Sequence, residues 1–105
     1  MNNNGANSQQ QKSKIVFPSE KTLLQAFKLS LKFSKPICTY FYLDSLKKQC
    51  HILNDGDDSI LFKNEDEHTS PILNLYKSDN SYIIITNNTI YLIDGNTEIR
   101  KTDSL

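Results

Sequence analysis

The segment SYIIITNNTIYLID, residues 81–94, contains the clearest structural pattern in the sequence. Both halves are rich in isoleucine and tyrosine, which favour strands, and Asn87-Asn88 between them tolerates the positive φ of a type I′ turn. This turn predicts a hairpin in which Ile84 faces Tyr91. One face of the hairpin is then entirely aliphatic, and we expect a helix to pack on it. That face consists of Ile83, Ile85, Ile90 and Leu92.

The opposite face of the hairpin mixes isoleucine with tyrosine. One helix cannot cover both faces of a sheet, so this face is closed by curling of the sheet, is covered by a partner, or stays exposed. Such a patch is larger than a small monomer usually exposes, and tyrosine is enriched at interfaces. We therefore predict a contact with a protein partner or with a second copy of the chain. The predicted interface consists of Tyr82, Ile84, Tyr91 and Ile93.

A single long helix is predicted over residues 19–34, SEKTLLQAFKLSLKFS. Ser19 suits the N-cap, and Lys35-Pro36 ends the helix because the residue before proline is disfavoured in helical geometry. A narrow basic stripe is predicted from Lys21, Lys28, Lys32 and Lys35. The wider opposite face is apolar, and we expect it to be broadly buried. It contains Leu23, Leu24, Ala26, Phe27, Leu31 and Phe33.

After Pro36 the chain consists of short segments rich in β-branched and aromatic residues, separated by turn-forming residues. The candidate strands are 36–43, 49–53, 59–63, 71–77, 81–86, 89–94 and 97–101. The predicted class is α+β, with one N-terminal helix packed on an antiparallel β-meander of five to seven short strands. This single domain would span residues 15–105. Residues 1–14, MNNNGANSQQQKSK, have the composition of a disordered polar tail.

The charges are balanced overall but segregated along the chain. The 105 residues carry 12 basic and 12 acidic side chains, which argues against a non-specific polyanion binder. Residues 1–50 nevertheless carry eight lysines against two acidic residues. A nucleic-acid-associated protein that uses the basic stripe and the basic tail (Lys12, Lys14) is therefore the second hypothesis. It is not the favoured one, because no RNA-recognition signature is present.

The sequence offers little that resembles a catalytic or metal site. The acidic segment KNEDEHTSPI, residues 63–72, lacks the ligand spacing of a calcium loop, and the Cys and His residues lack zinc-site spacing. The only glycines are Gly5, Gly56 and Gly95, so no phosphate-binding loop is present. We predict no catalytic residue, no cofactor and no metal. The favoured function is a non-catalytic protein-interaction module, and a small enzyme or metal protein is the third hypothesis.

The compartment is inferred from two further features. Cys38 and Cys50 are too few for a disulfide scaffold, which suits the reducing interior of a cell. The sequence has neither a secretory signal pattern nor an apolar run of about 18 residues. We therefore expect an intracellular protein without a membrane partner.

The segment Lys63–Ile72, followed by YIIITNNTIYLI at 82–93, resembles small uncharacterised proteins of giant nucleocytoplasmic large DNA viruses of the mimivirus kind. In those proteins an acidic segment ending in TSPI precedes a similar hairpin. His68 stands where their pattern has an aromatic residue. The resemblance covers roughly residues 20–101 and implies no known activity. It implies a small viral protein of the host cytoplasm or the virion.

Overall fold

A computed structural model describes residues 15–102 of the chain. The predicted polar tail at 1–14 lies outside the described residues. Within them the chain forms two helices and eight strands, so the predicted number of five to seven strands was too low. These are α1 (Glu20–Phe33), β1 (Ile37–Cys38), α2 (Tyr42–Leu46), β2 (His51–Asp55), β3 (Asp58–Asn64), β4 (Glu67–His68), β5 (Ile72–Ser78), β6 (Ser81–Thr86), β7 (Ile90–Asp94) and β8 (Ile99–Lys101).

The strands form two four-stranded sheets. The order is β1-β7-β6-β5 in the first, here called the central sheet, and β4-β3-β2-β8 in the second, the covering sheet. β1 pairs in parallel with β7, and β8 pairs in parallel with β2, whereas the other pairings are antiparallel. The α+β class is confirmed. The single antiparallel meander was wrong, because both ends of the strand region return to pair with strands distant in the sequence.

The hairpin of β6 and β7 has the predicted register. Ile84 pairs with Tyr91, and the neighbouring aliphatic residues pair as expected on either side of it. The Thr86 amide donates to the Thr89 carbonyl at 2.9 Å and closes the turn. The aliphatic face packs against the helices, as predicted. This first core comprises Ala26, Leu29, Tyr42, Ile83, Ile85, Ile90 and Leu92.

The bounds of α1 agree with the prediction to within one residue. The Ser19 hydroxyl accepts a hydrogen bond from the Thr22 amide at 3.1 Å, as an N-cap does. The helix ends at Ser34, which adopts the left-handed conformation with φ 55°. Thr22 is buried and donates to the Ser78 carbonyl at 3.0 Å, which fixes the start of α1 to the end of β5.

The predicted strand at 36–43 was wrong beyond Cys38. The chain leaves the central sheet there and forms the short helix α2, in which Tyr42 and Ser45 are buried at a helical spacing of three. The prediction failed because hydrophobic periodicity cannot distinguish a strand from a buried helix in a short apolar run. α2 matters for the fold because the Ser45 hydroxyl accepts from the Asp94 amide at 2.9 Å and holds the end of β7.

The mixed face of the hairpin is covered by the covering sheet of the same chain. The second core lies between the two sheets and comprises Phe41, Cys50, Ile52, Leu61, Ile84 and Ile93. Ile84 and Ile93 are fully buried, with 0% exposure, and Tyr82 and Tyr91 are partly buried at its margin. The four predicted interface residues therefore lie together, but their isoleucines face an intramolecular layer. The prediction of a partner missed this layer because it placed all strands in one sheet.

Candidate interaction surface

α1 contacts the central sheet along a narrow line and leaves most of its apolar face in solvent. Of the six residues predicted to be buried there, only Ala26 is buried. Leu23, Leu24, Phe27 and Leu31 have exposures of 47%, 55%, 55% and 67%, and Phe33 is 39% exposed. The prediction of a broadly buried face was therefore wrong. A helix touches a sheet over only part of its circumference, and no further described element packs against the outer side of α1.

The exposed residues Leu23, Leu24, Phe27 and Leu31 are here called the apolar strip. At about 100° per residue, three of them are spaced by four and follow one line along the helix, with Leu24 beside it. From Leu23 to Leu31 the line extends for about 12 Å at 1.5 Å per residue. The strip is therefore a continuous ridge and not a set of scattered surface residues.

An apolar groove adjoins the strip and shares Leu23 with it. Its volume is about 470 Å³, and its lining consists of Ile15, Phe17, Pro18, Leu23, Thr39, Tyr42, Leu43 and Leu92. The Tyr42 hydroxyl donates to the Val16 carbonyl at 2.5 Å, which holds the segment before α1 against α2. Phe17 is 74% exposed at the rim. The strip and the groove form one apolar surface with a raised part and a concave part.

A basic flank borders the apolar strip on the side away from the groove. Lys21, Lys28 and Lys32 are exposed on this flank. Lys35, the fourth predicted member, has a different role, because its Nζ donates to the Thr86 carbonyl at 2.7 Å. Glu20 is the only acidic residue of α1. Three of the four predicted nucleic-acid contacts thus share one side of the helix, and the fourth closes the end of β6.

The acidic segment 63–72 takes part in a structural network. The Tyr40 hydroxyl donates to Glu67, and Lys63 Nζ lies 3.7 Å from Glu67 and 3.4 Å from Asp44. The hydrogen bond from Tyr40 and the charge of Lys63 lower the pKa of Glu67 below its ordinary value. The network joins the covering sheet to α2 and the loop before it, which accounts for these acidic and basic groups without a ligand.

The histidine and cysteine side chains do not converge on a reactive centre. In the range 15–102, no group of three or more His, Cys, Asp or Glu residues is placed to hold a metal ion. Burial raises the pKa of the Cys50 thiol to about 11, so this thiol is protonated at neutral pH. His51 packs near Phe62 on the covering sheet, and burial, followed by the charge of Arg100, lowers the pKa of its imidazole.

Comparison of the chain with protein-family models, with curated proteins and with solved structures gave no match. No helix of the described part of the chain is long and apolar enough to cross a membrane.

Sequence reasoning identified the residues of the apolar strip but assigned them to the core. The width of the apolar arc on α1 is the feature of the sequence that could have distinguished these exposed residues from buried ones. A stripe that faces one sheet needs apolar residues over about one third of the helix. The residues that do face the sheet are Thr22, Ala26 and Leu29. The remaining apolar residues form an excess that the sheet cannot cover.

Proposed function

We propose that this protein is a non-catalytic interaction module that binds a protein partner through the apolar strip and the adjoining groove. The exposure of Leu23, Leu24, Phe27 and Leu31 on one continuous ridge carries this proposal. Contiguous apolar surface of this kind on a small protein marks an interaction site. Complete burial of a fully exposed side chain of this kind contributes about 1.5–3 kcal/mol, and these side chains, which are 47–67% exposed, would each contribute about half of that in a complex.

The state of the reactive groups supports a non-catalytic role. Cys50 is buried and protonated, and Glu67 is engaged by Tyr40 and Lys63. A nucleophile or a general base needs an accessible group with a suitable pKa and an orienting neighbour. The resemblance to giant-virus proteins adds to the proposal that the protein acts in the host cytoplasm or in the virion.

Nucleic-acid binding is the second candidate function, and the exposed lysines of the basic flank favour it. Phosphate contacts release counterions and would make such binding strongly salt-dependent. The flank, however, adjoins four exposed apolar side chains. A phosphate backbone offers these side chains no apolar surface, whereas an amphipathic protein segment matches both parts.

The proposal is tested with a displayed library of random helical peptides of the length of α1, selected against the folded, full-length protein. Leu24→Gln and Leu73→Gln form a matched pair, because the two leucines are 55% and 53% exposed and only Leu24 belongs to the strip. We expect selected peptides to bind the wild type and Leu73→Gln equally, and Leu24→Gln about ten-fold more weakly.

Circular dichroism of both variants is the control for folding. Selection that yields no peptide, or peptides that bind both variants equally, would show that the strip is not a protein-binding surface.

A further inference from the structure

The charges around the apolar strip specify the partner more closely, and this inference rests on the proposed function. We infer that the occupant of the strip is an amphipathic helix of another protein, with an acidic flank that faces Lys21, Lys28 and Lys32. The shape of the strip, the distribution of charge on α1 and the poor fit of a second copy of this chain all favour such a partner.

The shape of the surface suits a helical partner. Leu23, Phe27 and Leu31 follow one line, which is the ridge that a second helix can receive in the groove between its own rows of side chains. The apolar groove beside Leu23 offers a concave space of about 470 Å³ for protruding side chains of that helix. Helices with apolar anchors at spacings of three and four bind such ridges and grooves.

The basic flank determines the charge of the partner. Its three lysines are all exposed and lie along one side of the strip, and the only acidic residue of α1 is Glu20. When a helix packs on the strip, one of its flanks comes to lie beside these lysines. Acidic residues on that flank would form ion pairs, whereas lysines would repel, so the flank selects between partners that share the same apolar face.

A second copy of the chain is a poor occupant. A two-fold axis that makes the two helices antiparallel places the basic flanks of both copies on the same side, where six lysines repel one another. If the two-fold axis instead runs parallel to the helices, the two helices are parallel. The basic flank of each copy then faces the groove side of the other copy, which is apolar. Neither arrangement places a row of acidic residues beside the lysines, because Glu20 is the only acidic residue of α1. Residues 1–14 supply none either, since they contain no acidic residue and Met1 is their only large apolar residue.

The inference is tested with three synthetic helical peptides of the length of α1 that share one leucine face and differ in their flank, which is Glu, Gln or Lys. Binding to the full-length protein is measured by fluorescence anisotropy at low and at high salt. We expect the Glu peptide to bind about ten-fold more tightly than the Lys peptide, as a few exposed ion pairs would produce. Screening by high salt should reduce this preference.

Two variants localise the effect. Lys28→Gln/Lys32→Gln should abolish the preference for the Glu peptide while leaving the binding of the Gln peptide unchanged. Lys47→Gln/Lys101→Gln removes the same charge from exposed positions away from α1 and should preserve the preference. Circular dichroism of both variants verifies that they are folded.

Each other outcome has a distinct meaning. Equal binding of the three peptides would overturn the acidic partner and leave the interaction function intact, whereas no binding of any peptide would overturn both. Tighter binding to phosphatidylserine vesicles or to a single-stranded oligonucleotide than to the Glu peptide would overturn the inference in favour of a membrane surface or a nucleic acid. A micromolar dimer that Phe27→Gln dissociates would overturn it in favour of a second copy.

Discussion

The mixed face of the β6–β7 hairpin and the apolar strip of α1 are both rich in large apolar residues, yet they have opposite surroundings. Ile84 on the hairpin is 0% exposed beneath the covering sheet, whereas Leu31 on the strip is 67% exposed. The sequence alone favours the reverse arrangement, with the hairpin face available to a partner and the helix face buried. Apolar character identifies surfaces that need a cover, but it does not identify which of them the chain itself covers.

The order of the layers explains the difference. The central sheet lies in the middle, with the helices on one side and the covering sheet on the other. Both faces of the hairpin are therefore internal, and the outer layers have outward faces that no further described element covers. On the covering sheet the outward residues His51, Leu53, Ile60 and Phe62 are partly buried. On α1 the leucines and the phenylalanine of the strip are 47–67% exposed, so α1 presents its apolar side chains to solvent more fully than the covering sheet does.

The two surfaces should differ most in stability when a charged residue is placed on each of them in turn. Ile84→Asp buries an uncompensated carboxylate between the sheets, at a cost of several kcal/mol, and this is comparable with the total stability of a small domain. We expect Ile84→Asp to be unfolded by circular dichroism. Leu24→Asp places the same group on the strip, and we expect it to fold. A folded Ile84→Asp would show that the covering sheet does not close this face.

A second test compares the two sides of α1 itself. Ala26 is 0% exposed between α1 and the central sheet, and its small side chain allows the close approach of the helix. Ala26→Leu overpacks this contact, and we expect it to lower the free energy of unfolding by about 1–3 kcal/mol in chemical denaturation. Phe27→Leu changes the neighbouring residue on the strip and serves as the control. Equal effects of the two changes would mean that both sides of α1 are packed alike.

The parts of the fold that the sequence predicts are those set by neighbouring residues. The register of β6 and β7 follows from Asn87-Asn88, and the bounds of α1 follow from Ser19 and from Pro36. The parallel pairings do not follow from any local signal, because Ile37 pairs with Ile90 and Ile52 pairs with Ile99. The first pairing adds β1 to the edge of the central sheet, and the second adds β8 to the edge of the covering sheet.

The sequence predicted which residues form the apolar face of α1, but it did not predict that most of this face is exposed. Hydrophobic periodicity locates the apolar arc of α1, but it does not show which part of an arc this wide contacts the sheet. The contacting line includes Thr22, a polar residue whose hydroxyl accepts from the Ser19 hydroxyl and donates to the distant Ser78. The interface predicted on the hairpin required knowledge of the covering sheet, which packs on the hairpin through contacts between residues distant in the sequence.

A smaller effect is expected from the network that ties the covering sheet to α2 and the loop before it. Because the folded-state pKa of Glu67 is lowered from the ordinary value of 4.5, its ionised form stabilises the fold above that pH, and this contribution is lost as the pH falls through the lowered pKa. Glu67→Gln should therefore reduce the denaturation midpoint at neutral pH and have little effect in acid. Tyr40→Phe removes the main hydrogen bond and should reduce the same pH dependence. If Glu67→Gln lowered the denaturation midpoint equally at every pH, the ionised Glu67 carboxylate would not be the source of the stabilisation.

The smallest change in stability is expected on the apolar strip, and it provides the sharpest contrast with Ile84. Leu31→Gln exchanges an apolar side chain that is 67% exposed for a polar one of similar length. Surface substitutions of this kind change the free energy of unfolding by no more than about 0.5 kcal/mol, and glutamine has a helix propensity close to that of leucine. Thermal and chemical denaturation of the full-length protein should therefore leave Leu31→Gln close to the wild type. A loss as large as that of Ala26→Leu would show that the strip is covered in the free protein, and a covered strip could not be the binding surface.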